Sequence, residues 1–222
     1  MERHEVVKKY PRTPHLPFSP GVQSDDVVIG EAELGSLPLL SEETVLTEKL
    51  DGANCSIYRG TVYSRTVNTA ATHPSFGPVK ELACQLNYSM PDNIQLFGEN
   101  MFGVHSIEYD GLTSFFYAFA GLRDGEQWLG WDELCGLARD LDVPSVPLLN
   151  RQTFSSFGQL QQTIQLNKSQ CGSCPAEGVV LRTVRGFSFH EFDRYTAKYV
   201  RENHIQTDAT WRRTWKQATL VK

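Results

Sequence analysis

No apolar run in this chain approaches the roughly 20 residues that a membrane-spanning helix needs, so no membrane partner is expected. Met1-Glu2-Arg3-His4-Glu5 opens the chain with no apolar stretch behind it, which argues against a signal peptide and for a cytoplasmic protein. Positive charge is not in surplus: 21 Lys and Arg against 26 Asp and Glu leave a net charge of −5. That excludes a globally basic surface, so any grip on a polyanion must be local. Cysteine is scarce and odd in number, five in all, which argues against a disulfide framework. Cys171 and Cys174 form the one Cys-x-x-Cys. A zinc site would need two more ligands, and His190 and His204 make no close pair. Two reduced thiols in a loop is the simpler reading. Internal repeats, low-complexity tracts and a clear domain linker are absent too.

The 222 residues are 40% hydrophobic and 21% charged, ordinary for one sizeable globular domain over 1–222. Four prolines within positions 11–20 forbid a helix there, so residues 1–24 read as an extended arm lying on the domain. Arg12 and His15 are its candidates for phosphate contact, though packing is the favoured reading of each. Asp25 to Gly35 reads as a strand plus turn, and Thr44 to Arg65 as a β-meander. Val79, Leu82, Ala83 and Leu86 recur at helical spacing after Pro78. Leu134, Leu137, Ala138 and Leu141 repeat it, and Phe157, Leu160 and Ile164 suggest a third helix. Phe115 to Leu122, Asp124-Gly125 and Gln127 to Leu129 read as a hairpin. Clustered strands and helices without strict alternation predict an α+β fold with mainly antiparallel sheet.

The stretch with most chemistry is Thr47-Glu48-Lys49-Leu50-Asp51-Gly52-Ala53-Asn54. β-rich runs flank a tight-turn dipeptide, so Lys49 should stand at a strand end where it can lean into a cleft between two layers. An ordinary hairpin with an exposed lysine fits the tetrapeptide alone equally well. Four further segments follow in order: Phe97-Gly98-Glu99-Asn100, Ser114-Phe115-Phe116-Tyr117-Ala118-Phe119, Ala176-Glu177-Gly178-Val179-Val180-Leu181-Arg182, and Ala197-Lys198-Tyr199-Val200.

Lys49 to Val200, with these five segments in this order, resembles the covalent nucleotidyltransferase superfamily of RNA ligases, DNA ligases and mRNA capping enzymes, and most of all the RNA ligase 2 type. The resemblance implies the adenylyltransferase fold, a nucleotidyltransferase fold akin to the ATP-grasp architecture. Two mainly antiparallel sheets, flanked by helices, would enclose a nucleotide cleft. It implies that Lys49 attacks the α-phosphate of ATP and carries AMP as a phosphoramidate. It implies a nucleotide-binding set of Glu48, Lys49, Asp51, Gly52, Glu99, Phe119, Glu177 and Lys198. Phe119 would stack on adenine, and Asp51, Glu99 and Glu177 would serve Mg²⁺ or Mn²⁺ through water. Asn54 and Arg65 would hold the RNA 5′-phosphate end, where an arginine fork suits an oxyanion. The expected substrate is RNA with 5′-phosphate and 3′-hydroxyl ends, with an end-healing kinase or phosphatase as a possible partner.

The chain departs from the family pattern at Lys198, where Lys-x-Lys is usual and one lysine is missing. Only 24 residues follow Lys198, which fits neither the OB-fold domain of DNA ligases nor the helical domain of RNA ligase 2 relatives. In that tail Trp211-Arg212-Arg213-Thr214-Trp215-Lys216 is either a stacking surface for single-stranded nucleic acid or a helix docking its tryptophans on the core. The rivals are a DNA ligase, a capping guanylyltransferase, and a catalytically idle RNA-binding module of the same fold.

Overall fold

Alternating residues from Glu43 to Lys49 form β1 in the computed structural model, which describes residues 7–66, 69–166, 168–202 and 215–221. Val45 points into one core and Leu46 into another, so β1 is buried on both faces. It pairs antiparallel with β8 (Leu148–Thr153) and with β9 (Gly178–Thr183). β11 (Thr196–Val200) completes a four-stranded sheet in the order β11-β9-β1-β8.

The chain then changes sheets. β2 (Ala53–Tyr58) pairs with β3 (Thr61–Ser64) and β4 (Ile94–Asn100), not with β1. The meander expected over Thr44 to Arg65 is therefore only the β2–β3 hairpin, closed by Arg59 and Gly60 at positive φ (47° and 69°). Leu50 to Gly52 is a crossover between layers, because β1 and β2 are hydrogen-bonded into different sheets. β6 (Phe116–Arg123) and β7 (Gln127–Trp128) form the expected hairpin, with Asp124 and Gly125 at φ 53° and 69°. With β10 (Phe187–Ser188), the second sheet runs β10-β7-β6-β4-β2-β3, all antiparallel.

Helices cover the outer faces. α2 (Gly77–Leu86), with Pro78 in its first turn, buries Val79, Ala83 and Leu86. α3 (Trp131–Asp140) buries Trp131, Leu134 and Ala138, and α4 (Phe157–Thr163) buries Leu160. All three coincide with the helical spacings in the sequence. Asp25 to Gly35 does not: Val28 makes only a bridge with His15, and Glu31–Leu34 forms a short helix, α1. Good helix formers with two acidic residues in the first turn outweigh the β-reading there. α5 (Phe192–Tyr195) leads into β11.

The proline-rich arm is extended and lies against the four-stranded sheet, with Leu16 fully buried. Arg12 donates to Asp25 while staying exposed, and His15 is 1% exposed, so His15 does not stand open to a ligand. At the other end β12 (Lys216–Gln217) pairs with β5 (Gly103–Val104), and Trp215 packs on Phe102. This is strand rather than the helix weighed from sequence; Trp211 to Thr214, and His204, lie outside the described residues. Cys171 and Cys174 are free thiols, and among the described residues no helix is long and apolar enough to cross a membrane.

Candidate active site

The two sheets meet at a cleft of about 270 Å³. The four-stranded sheet contributes Lys49, Val180, Arg182, Thr196 and Lys198; the six-stranded sheet contributes Asn54, Glu99, Phe119 and Ala120. Lys49 is the last residue of β1, where the crossover starts, and its Nζ is 2.5 Å from Glu177 Oε1. Glu177 stands one residue ahead of β9, whose Gly178 pairs with Lys49, so backbone register brings the two side chains together. Glu177 is 1% exposed.

Electrostatics around Lys49 run against the simplest expectation for a nucleophile. Burial pushes the amine down, but Glu177, Glu99 and Asp51 outweigh it and hold its pKa above the ordinary lysine value. Glu99 is pushed up to about 8, first by burial and then by the charges of Glu177 and Asp51, against the pull of Lys49. The carboxylates, not a neighbouring cation, dominate the field at Lys49.

Asn54 sits directly opposite Glu99 in the β2–β4 register, so both face the cleft, and Arg65 joins them at its rim. Phe119 occupies a bulge, with Ala118 paired to Gly98 and Ala120 to Phe97. Simple strand alternation, which would put Phe115, Tyr117 and Phe119 on one face, breaks there. Phe119 lines the cleft, the Tyr117 hydroxyl accepts from Thr113 N–H, and Phe115 packs on Phe102.

Two acidic neighbours of Lys49 bond to nearby loops, though Glu48 also lines the cleft. The Asp51 carboxylate accepts N–H bonds from Ser106 (2.7 Å) and Ile107 (2.8 Å), and its own N–H donates to the Tyr109 hydroxyl. The Glu48 carboxylate accepts from Gln170 N–H at 2.8 Å and from the Ser169 hydroxyl, pinning the loop ahead of β9. Both brace loops around Lys49. Among the described residues no three His, Cys, Asp or Glu side chains converge as a metal-holding group. Asp51, expected to serve a metal through water with Glu99 and Glu177, accepts both of those N–H bonds at Oδ2. Two carboxylates still suit Mg²⁺ or Mn²⁺, since Mg²⁺ is commonly held by one or two carboxylates together with substrate phosphates and water.

The glycines beside Asp51, Glu99 and Glu177 are needed by the protein itself. A Cβ on Gly178 would lie 2.1 Å from Tyr199 O, and one on Gly52 2.6 Å from Asn100 O. Gly98 is filled against by the Phe116 ring.

Lys198 lines the cleft and its Nζ lies 3.2 Å from Asp26 Oδ1. Alternation along β11 puts Thr196 beside it on the cleft wall. Other lining residues carried no assignment from sequence, Arg182 and Tyr10 among them. Arg182 is 6% exposed and donates to the carbonyls of Phe119 and Leu129; its position two residues from Val180 on β9 was a readable signal. Tyr10 enters from the arm and packs against Phe119 (5.0 Å), Phe97 (5.4 Å), Trp128 (5.5 Å) and Phe192 (5.0 Å). Nothing in the local sequence pointed to that aromatic wall.

The RNA ligase family model matches residues 42–200. Among solved structures, a substituted Naegleria gruberi RNA ligase with ATP and Mn matches with a TM-score of 0.63 at 16% identity, over 89% of this chain and 57% of that one. Another substituted form, with AMP and Mn, matches at 0.61 and 16%, over 88% and 56%. The same ligase with PPi matches at 0.58 and 17%, over 90% and 61%. The chain thus spans somewhat over half the length of these structures. No curated protein matches it. At such identities the likeness establishes the fold, and the α+β nucleotidyltransferase architecture expected from sequence is the one observed.

Proposed function

Because this chain belongs to the RNA ligase family, we propose that it is an ATP-dependent RNA ligase working through a lysyl-AMP intermediate. The observation that carries the reading is Lys49: an amine at a strand end, inside a cleft, 2.5 Å from a buried carboxylate. In the first step Lys49 Nζ attacks the α-phosphate of ATP, a P–N bond forms, and pyrophosphate leaves. AMP then passes to the RNA 5′-phosphate as the P–N bond breaks. Finally the 3′-hydroxyl attacks that activated phosphate and AMP departs.

The amine must lose its proton before it attacks. Glu177 Oε1 is the acceptor nearest to it. Glu99 and Glu177 would hold Mg²⁺ or Mn²⁺ together with nucleotide oxygens; the ion, when bound, offsets carboxylate and phosphate charge around Lys49. Phe119, with Tyr10 against its edge, offers the aromatic surface for adenine. Lys198 meets phosphate with a point charge. Asn54 and Arg65, across the cleft from Lys49, face the RNA 5′ end. Asp51 and Glu48 act through the loops they brace.

RNA rather than DNA is favoured because Asn54 faces the cleft beside Glu99, where a strand end can be read locally. The 2′-hydroxyl is the group that distinguishes the two. The test is sealing of matched nicked duplexes whose 3′-terminal nucleotide is ribo or deoxyribo. Loss of one hydrogen bond at about 1–3 kcal/mol predicts roughly 5- to 150-fold slower sealing of the deoxy end. Equal sealing of the two would assign the chain to DNA ends.

A further inference from the structure

Residues 7–41 precede the stretch that matches the family, yet they are built into its cleft. His15 makes parallel bridges to both Lys198 and Val28. Lys198 N–H donates to Pro14 O, and Leu16 N–H donates to Lys198 O, each at 2.8 Å. Val200 N–H donates to the Ser19 hydroxyl at 2.9 Å, and Gly21 N–H to Val200 O at 3.0 Å. The arm therefore extends the four-stranded sheet beyond β11. It then turns back through Val27 and Val28 and brings a carboxylate to the Lys198 ammonium.

That carboxylate is held at both oxygens. Asp26 Oδ1 is 3.2 Å from Lys198 Nζ, and Oδ2 is 3.0 Å from His15 Nε2 while accepting Gln23 N–H at 3.1 Å. His15 is itself buried, its Nδ1 2.8 Å from the Ser19 hydroxyl. We propose that Asp26 is a positioning residue for Lys198: it holds the ammonium extended toward the ATP phosphates. An untethered lysine stem loses much rotamer freedom on binding, and a tethered one has lost part of it already. Burial pushes the Lys198 amine down, and the cations Lys49 and Arg65 push it the same way. Asp26 is the carboxylate that opposes them, and His15, pushed down to about 4 chiefly by burial, stays neutral beside it at neutral pH.

The inference rests on the reading of Lys198 as a phosphate contact, and the experiment separates the two. Single-turnover formation of the AMP adduct is measured on the full chain across ATP concentrations. Asp26→Asn should raise the half-saturating ATP about tenfold or more, the scale of one lost bond to a charged group, with a much smaller change in the rate at saturation. Asp26→Glu should restore part of the affinity. In a Lys198→Met background Asp26→Asn should add nothing, because its effect runs through the lysine. Effects that add in full, or an Asp26→Asn protein with unchanged or tighter ATP dependence beside a weakened Lys198→Met, would overturn the positioning role alone. A Lys198→Met protein with normal ATP dependence would remove the phosphate reading of Lys198, and the role of Asp26 with it.

Discussion

Lys49 stands among Glu177, Glu99 and Asp51, whereas Lys198, in the same cleft, has Asp26 as its carboxylate and feels Lys49 and Arg65 as like charges. The first amine is held above its ordinary pKa and the second below it. One side-chain type thus serves two tasks. Lys49 is kept as a protonated, precisely paired group that becomes a nucleophile only when charge arrives to offset its carboxylates. Lys198 is an ammonium kept charged in a partly dry place, where it can meet phosphate. The floor of the cleft belongs to the family core; the tether at Lys198 belongs to the arm.

Exchanging each lysine for arginine breaks this comparison most sharply. Lys49→Arg should abolish the covalent AMP adduct, since a guanidinium stays protonated. Lys198→Arg should retain measurable adduct, because charge is what its task needs. Equal tolerance at both positions would erase the distinction. Truncations come next: Glu177→Ala and Lys198→Ala should each slow adenylation by at least about 100-fold, the scale of one electrostatic stabiliser. Rates near wild type in both would mean that neither group faces the reacting phosphate.

A smaller effect concerns stability. Glu99 has a folded pKa near 8, above its unfolded value, so the native state binds the extra proton. Its contribution is present at low pH and fades as pH rises from the ordinary carboxylate range through about 8. The nucleotide-free protein should therefore melt at lower temperature across that interval, and Glu99→Gln should flatten the dependence. An identical slope in the variant would show that Glu99 is already ionised.

The short strand motifs were legible because alternation fixes where their side chains go. Lys49, Asn54, Glu99, Phe119 and Lys198 all line the cleft that the sequence implied. The same periodicity explains Glu48, which must leave β1 on the face opposite Lys49 and there braces the loop at Ser169 and Gln170. Asp51 lies in the crossover, where no period applies, and backbone N–H groups of a distant loop claim its carboxylate. Tyr10 and Asp26 were hidden for another reason. Their places depend on how the arm docks on β11, a long-range pairing that leaves no local pattern. The bulge at Phe119 likewise needs the partner strand to be seen.

Locating the adenylate tests the central claim most directly. The protein is incubated with ATP and Mg²⁺, denatured, digested, and its modified peptide sequenced by mass spectrometry. One AMP on the amine of Lys49, lost on mild acid treatment and absent from Lys49→Ala, is the predicted result. An adduct on another residue, or one that persists in Lys49→Ala, would contradict the account.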